Sequence, residues 1–297
     1  MKNVFHCFIF NVLCMMIPSC QTPVDKNTSR LSIEAQVDNL HMQVERQTIK
    51  YREIVQLDHH RMAMKAKAKT PPAIVSIFSD DSPIISQLVT INQEIALDMP
   101  FKILAYSEPN ADRPSLTYTS AEFVAKRHGM DIESLADYKE VIEGVISTLP
   151  KDLLVRPDLI KLTEDYGVIR IHSKYNYIES LGRIFKVLNI LQNSDTRIFT
   201  FIDFQKEALN YGLSIRPTLL LFFGAPKPGA MAMHDAPQIG LDAFCQKMLV
   251  YEDKDGKTQV LFSNMAKLGE LYYGKSNKGQ QVVTKRMTMA FARVLTH

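Results

Sequence analysis

The pattern of apolar and polar positions after residue 31 alternates between helical and extended segments. Apolar residues recur at intervals of three and four at about 32–46 and again at about 177–191, which predicts two amphipathic helices. Continuous apolar runs follow at 73–78 and 218–223, and such runs are typical of strands buried on both faces of a sheet. This alternation indicates a protein of mixed helices and sheet.

Turn and cap residues agree with this pattern. Asp58 and Asp203 each follow a β-rich run, where a carboxylate can cap the first turn of the next helix. The segment 252–257 contains Asp-Gly, which predicts a hairpin because glycine tolerates the positive φ that such turns need. Thr119 and Glu122 have the spacing of a capping box, with Thr119 as the predicted N-cap.

The chain also repeats itself. Residues 31–129 align with 176–274 without a gap, and 16 of the 99 aligned positions are identical. The identical pairs include residues that fix turns and strands: Pro72 with Pro217, Lys102 with Lys247, and Gly129 with Gly274. We therefore predict an α+β fold of two tandem small mixed α/β domains. Each is expected to be a β-sheet of about four strands covered by helices, and the two are expected to pack as an internal pseudo-dimer.

The repeat sets the domain boundaries. We predict a first copy at 31–148, a linker at 149–166 and a second copy at 167–297. The chain is 46% hydrophobic and 23% charged, as in ordinary globular proteins. Its net charge of +3 is too small and too scattered to indicate nucleic-acid binding.

The first 30 residues have a different character. One lysine precedes a short apolar stretch within 1–19, which is typical of a signal peptide. The stretch ends in Ile17-Pro-Ser-Cys20, which resembles the lipobox of bacterial lipoproteins. That resemblance implies cleavage before Cys20, attachment of a diacylglycerol with palmitate-type chains to its thiol, and a tether at 20–30. We expect a lipid anchor in a bilayer on the non-cytoplasmic side of the bacterial cell envelope; the alternative is an ordinary signal peptide and a free secreted protein.

The second copy contains two motifs of a known family. The first is the loop Phe222-Phe-Gly-Ala-Pro-Lys-Pro-Gly229, and the second is Leu241-Asp242 followed by a strand and hairpin at 248–257. Together they resemble domain of unknown function 302, which implies a small α/β fold and no established reaction. The second copy departs from the family with Ala-Phe-Cys at 243–245, while the first copy keeps Leu-Asp-Met-Pro-Phe at 97–101 but lacks the loop. We therefore expect one ligand site, in the second copy.

The loop is the candidate ligand site. It leaves a central strand and enters a helix, where exposed amides favour anions. We predict that Gly224, Pro226, Lys227 and Gly229 bind a small anionic ligand. The alternative is a rigid turn in which the glycines and prolines only fix backbone angles.

Two methionines and a histidine that follow the loop form a candidate copper site. Thioether and imidazole ligands suit Cu(I), which makes Met231, Met233 and His234 a candidate metal site. The alternative is that these methionines fill the core. No other cofactor is predicted.

The function is expected to be non-catalytic binding of a small ligand or of an envelope protein. Copper handling in the envelope is the alternative. An uncharacterised enzyme is a second alternative, although the sequence contains no Gly-x-Ser-x-Gly, His-Glu-x-x-His, Walker or Cys-x-x-Cys motif.

Overall fold

Two antiparallel sheets form the framework of the protein. The computed structural model describes residues 31–193, 195–242 and 246–297. The predicted signal peptide, tether and lipidated Cys20 lie outside the described residues, as does the Ala-Phe-Cys segment at 243–245.

The first copy is a four-stranded meander in the order β1-β2-β3-β4. Its strands are Arg52–Asp58, Ala73–Ser79, Phe101–Tyr106 and Ser115–Tyr118. Its helices α1 to α5 are Ile33–Thr48, His59–Lys65, Ile84–Ile91, Ala121–Arg127 and Ala136–Ile146. Short 3-10 helices lie at Gln93–Leu97, Ile132–Leu135 and, in the linker, Lys151–Leu153.

The second copy repeats the meander and adds an edge strand, in the order β5-β9-β8-β7-β6. Strands β5 to β9 are Val168–His172, Arg197–Asp203, Thr218–Gly224, Gln246–Glu252 and Thr258–Ser263. Helices α6 to α10 are Tyr177–Gln192, Phe204–Leu209, Pro226–Met233, Met265–Tyr273 and Lys278–Thr296. A 3-10 helix lies at Pro237–Gly240. Within the described residues, no helix has both the length and the apolar character needed to cross a membrane.

The helix caps confirm one sequence prediction and correct another. The side chains of Asp58 and Asp203 cap α2 and α7, because each accepts a hydrogen bond from the backbone three residues later. The predicted cap of α4 was wrong by one residue. Ser120 is the N-cap and accepts from the backbone N–H of Phe123, whereas the Thr119 hydroxyl donates to Asp242 of the other copy. Tertiary contact decided between two adjacent hydroxyls that are locally equivalent.

The two copies exchange equivalent contacts. Helix α2 packs against α8, and α3 packs against α7. Since α2 corresponds to α7 and α3 to α8, these are one contact made twice, as in a twofold dimer. The 3-10 helix Gln93–Leu97 also lies on the second sheet, while Pro237–Gly240 lies on the first. The predicted pseudo-dimer of two α+β units is confirmed.

The copies also share a hydrophobic core. One continuous cluster includes Val75 and Leu104 of the first sheet together with Leu220 and Leu249 of the second. A separate cluster lies on the outer face of the second sheet, where Phe223 packs under α6 and α10. The second copy therefore has one face joined to the first copy and one face covered by its own helices.

Candidate functional site

A group of charged side chains is buried where the two copies meet. We call it the charged cluster, and it consists of Asp98, Lys102, Arg127, His128, Asp242 and Lys247. Asp98 is at its centre: Nη1 of Arg127 lies 2.9 Å from each carboxylate oxygen, and Nε2 of His128 lies 2.8 Å from Oδ2. Lys247 approaches from the second copy, with Nζ 3.4 Å from Asp98 Oδ1. Asp98 therefore receives cations from both copies.

Asp242 is the corresponding carboxylate of the second copy. Its Oδ1 lies 2.8 Å from Nζ of Lys102 and accepts a hydrogen bond of 2.9 Å from Thr119, both in the first copy. Its Oδ2 accepts from the hydroxyl of Tyr272. The charged cluster therefore links the copies in both directions.

The charged cluster follows the internal repeat. Lys102 and Lys247 are 145 positions apart, and so are Arg127 and Tyr272. Each residue of the latter pair donates to the aspartate of its own copy, as a guanidinium in one and a phenol in the other. Because the second copy has a tyrosine where the first copy has an arginine, the aspartate of the second copy has one positively charged neighbour fewer in its own copy.

Burial and the neighbouring positive charges shift the pKa values of Asp98 and Asp242 in opposite directions. Burial alone would raise the pKa of Asp98, but Arg127 and Lys247 outweigh it and hold this pKa well below its usual range. Asp242 behaves in the same way, since Lys102 overcomes the effect of burial and lowers its pKa.

The two lysines respond in opposite directions. Burial and the like charge of Lys102 lower the pKa of Lys247 to about 7. Burial also opposes the charge of Lys102, but the carboxylates of Asp242 and Asp98 prevail and raise its pKa. Lys247 is thus the member of the charged cluster that gains and loses a proton near neutral pH.

Access decides what the charged cluster can do. Asp98 and Lys102 are 0% exposed, and Asp242 and Lys247 are 1% and 2% exposed. A substrate cannot reach these groups without separating the copies. The arrangement fits a network that holds the copies together, because separating them would leave buried charges without their partners.

A cavity of about 450 Å³ opens on the outer face of the second sheet. We call it the apolar pocket. Its walls come from β7, β8, α6, α8 and α10, and its lining includes Leu191, Phe223, Pro228, Val283 and Met287. Such a largely apolar concave surface is typical of small-molecule sites.

Polar groups of the apolar pocket are few. Gln246 is 2% exposed, and within the ranges that the structure describes neither its Oε1 nor its Nε2 has a hydrogen-bond partner. Arg286 reaches the lining from α10 and is exposed. In the described part of the chain, no carboxylate lies within 4 Å of its guanidinium. The apolar pocket therefore combines a buried amide with a cation at its edge.

The predicted loop forms part of this wall. Gly224 and Pro228 line the apolar pocket, whereas Pro226 and Gly229 are buried beside it and Lys227 is exposed outside the lining. Because Pro226 and Pro228 have no N–H, Lys227 supplies the only amide proton among the first three residues of α8. The cation that lines the cavity is Arg286.

The predicted copper ligands occupy different environments. Met231 is 61% exposed and lines the apolar pocket, while Met233 is 0% exposed and belongs to the shared core. His234 is exposed at the end of α8. Among the described residues there is no group of three or more His, Cys, Asp or Glu placed to hold a metal. Copper binding by these residues stays a prediction.

A serine–histidine pair lies in the first copy. Nε2 of His41 is 2.9 Å from Oγ of Ser76, and Nδ1 is 3.9 Å from Oε1 of Glu45. Burial lowers the pKa of His41, which favours the neutral ring. A cavity of about 420 Å³ reaches Ser76 and Glu45. Ser76 lies in the middle of β2, however, where it is the strand partner of Gln56 on one side and of Ile103 on the other. Its backbone is therefore part of the sheet.

Sequence reasoning missed both Gln246 and the charged cluster. Gln246 begins a strand and resembles an ordinary edge residue, while Lys102 and Lys247 are polar positions in otherwise apolar strands. The available signal was the repeat, which preserves both lysines at the same position.

The fold and its paired sheets define a class of protein built from two fused copies of one α+β domain. The chain belongs to the family described as domain of unknown function DUF302, whose sequence model matches residues 25–149 and 171–294. The resemblance found in the sequence is confirmed.

Two curated relatives of this chain are named as fluoride-specific ion channels. The chain is 28% identical over 140 residues to fluoride-specific ion channel FluC 1 of Brucella suis and to FluC 1 of Brucella abortus. The match covers 47% of this chain and 54% and 50% of those proteins, so the chain spans about half the length of the curated relatives it matches.

A solved structure, that of an uncharacterized conserved DUF302 protein from Bacillus stearothermophilus, is 14% identical with a TM-score of 0.35. The comparison covers 44% of this chain and 96% of that chain.

Proposed function

We propose that this protein binds a small ligand, without catalysis, in the apolar pocket of its second copy. The observation that carries the proposal is Gln246, a buried residue of the cavity wall whose two polar side-chain atoms have no hydrogen-bond partner among the described residues. A buried group without a partner costs about 1–3 kcal/mol, so a ligand that pairs with it recovers that energy.

The rest of the apolar pocket supports this assignment. Its apolar lining can remove a ligand from water, at about 25 cal/mol for each Å² of apolar surface buried. Arg286 adds a cation at the edge, where an anionic group of the ligand can stay hydrated. The expected ligand is therefore amphipathic, and the anionic character predicted from the sequence is assigned to Arg286 rather than Lys227.

A thermal-shift screen of the purified full chain tests the proposal. A specific ligand at 100 times its Kd stabilises the folded state by about 2.7 kcal/mol. For a domain of this size that is a rise in Tm of roughly 5–10 °C. The informative variant is Gln246→Phe, which introduces the residue found at the same position of the first copy.

Two variants decide the outcome. Gln246→Phe should raise the Tm of the unliganded protein, because it removes an unpartnered amide, and should abolish the response to ligand. Lys227→Gln is the matched control and should respond as the wild type does. Loss of binding in Lys227→Gln with retention in Gln246→Phe would move the site to the loop and overturn our assignment.

The name of the relatives supplies a second probe. Sodium fluoride belongs in the same screen, since the channel proteins share 140 aligned residues with this chain. We propose that the shared segment is a binding module in those proteins. A fluoride-dependent Tm shift that persists in Gln246→Phe would assign the anion to another site.

A second candidate function is enzymatic and rests on the pair of Ser76 and His41. A hydroxyl 2.9 Å from a neutral imidazole is the beginning of a nucleophilic site. Labelling with a fluorophosphonate probe tests it, with Ser76→Ala as the control. Absence of label on Ser76 removes this candidate.

Location is a separate proposal. We propose that Cys20, with a diacylglycerol on its thiol, holds the protein on a bilayer in the bacterial cell envelope. The support is the lipobox-like segment that ends at Cys20. Two or more acyl chains would make such an anchor stable.

A further inference from the structure

In the first copy, aromatic side chains stand at four of the positions that line the apolar pocket in the second copy. Tyr51, Phe78, Phe101 and Tyr138 form consecutive ring contacts, with centroid distances of 5.3, 5.6 and 4.7 Å. We call these four residues the aromatic stack. The last two pairs are nearly parallel, at 25° and 24°.

The second copy keeps only one of the four rings. At a spacing of 145 residues, the aromatic stack corresponds to Thr196, Phe223, Gln246 and Val283. All four line the apolar pocket. Two tyrosines and one phenylalanine of the first copy are therefore replaced by smaller side chains, and the cavity lies where rings pack in the first copy.

This replacement indicates what shape the cavity accepts. Offset-stacked rings contribute about 0.5–1.5 kcal/mol beyond the area that they bury. A flat ring lying against Phe223 would restore the packing that Phe101 gives Phe78 in the first copy. A flexible chain would fill the volume without that contact.

The polar groups specify the edges of such a ring. Gln246 offers one acceptor and an N–H₂ donor side by side, which pair with a donor and an acceptor on the edge of a planar molecule. Arg286 offers a guanidinium at the open end, which favours a carboxylate or a similar anion.

We infer that the ligand class of the apolar pocket is a planar aromatic or heteroaromatic acid. The ring takes the place of the missing rings of the aromatic stack, its polar edge pairs with Gln246, and its acid group faces Arg286. This inference rests on the proposed function and makes it specific.

Isothermal titration calorimetry on the full chain, with three probes, tests this inference. The probes are 2-naphthoate, which is planar and anionic; 2-naphthamide, which is planar and neutral; and decanoate, which is anionic and flexible. We expect 2-naphthoate to bind at least about tenfold more tightly than either of the others, the size of one good contact. Arg286→Gln should reduce the preference for naphthoate over naphthamide, and Gln246→Phe should abolish binding of all three. Lys227→Gln is the control and should change none of these values.

The outcomes separate the two proposals. If decanoate binds as tightly as 2-naphthoate and is lost in Gln246→Phe, the planar class is wrong and ligand binding in the apolar pocket stands. If 2-naphthoate binds with equal affinity to the wild type and to Gln246→Phe, or does not bind at millimolar concentration, the planar class is overturned. Failure of the thermal-shift screen to give any Gln246-dependent ligand would in addition end the proposed function.

Discussion

Replacing Asp98 by asparagine tests whether the charged cluster holds the two copies together. The change keeps the shape of the side chain and removes its negative charge. Arg127 then loses the carboxylate that receives Nη1 at 2.9 Å on both oxygens, and Lys247 loses its counter-charge at 3.4 Å. The remaining cations stay buried between the copies.

The expected loss follows from that burial. Removing one partner of a buried, hydrogen-bonded ion pair costs about 3–5 kcal/mol, because the other charge is left uncompensated. Asp98 is 0% exposed, so solvent cannot substitute for the missing charge. Since a folded protein is stable by only about 5–15 kcal/mol, this loss is a large part of the total.

Urea unfolding followed by circular dichroism measures the effect. Asp203→Asn is the matched control: it also changes aspartate to asparagine, but at a helix N-cap where both residues are good caps, so its expected change is below about 0.5 kcal/mol. We expect Asp98→Asn to lower the unfolding midpoint strongly and Asp203→Asn to leave it nearly unchanged. A loss below about 1 kcal/mol for Asp98→Asn would refute the reasoning, because a surface ion pair has that value.

Three further predictions concern a buried lysine, a helix cap and the lipid anchor. The pKa of Lys247 is about 7 in the folded protein and about 10.5 when unfolded. Between these two pH values the unfolded state therefore binds more protons than the folded state, so the free energy of unfolding should rise with pH. Urea unfolding should show this rise from pH 7 to pH 9 in the wild type relative to Lys247→Met. The same pH dependence of stability in both proteins would contradict the prediction. Ser120→Ala should lower the free energy of unfolding by about 1 kcal/mol, because α4 loses its N-cap. Thr119→Ala should lower it by more, because the buried Asp242 carboxylate loses a hydrogen-bond donor. Equal losses, or a larger loss for Ser120→Ala, in urea unfolding would reject our cap assignment. Metabolic labelling with palmitate should mark the wild type and vanish in Cys20→Ala, and retained label would place the lipid elsewhere.

Local patterns were enough to predict the elements of both copies. Strand 218–223 is apolar on both faces, and strand β7 is buried along its whole length at Thr218–Gly224. Asp58 and Asp203 were recognised as caps because a carboxylate at that position satisfies amides only three residues away. The repeat itself predicted the pseudo-dimer, since duplicated faces can bury each other. Features that depend only on neighbours in sequence can therefore be predicted from the sequence.

The apolar pocket was only partly predictable. The loop at 224–229 was correctly placed at the end of a central strand, and two of its residues line the cavity. The roles of Gln246 and Arg286 were not visible, because they lie on β8 and α10, distant from the loop in sequence. Whether the space between such elements is filled or empty depends on the side chains that meet there.

The two-copy α+β architecture and the order of its elements are predictable from the internal repeat and from local patterns, because hydrophobic periodicity and capping act over a few residues. The burial of Lys102 and Lys247, by contrast, depends on tertiary packing, since a lysine in a strand is exposed or buried according to what covers that face. Tertiary packing also brings the rings of the aromatic stack together in the first copy, whereas the corresponding residues of the second copy, Gln246 among them, line a cavity. Both results depend on packing between segments that are far apart in the chain, and packing of that kind leaves no local pattern.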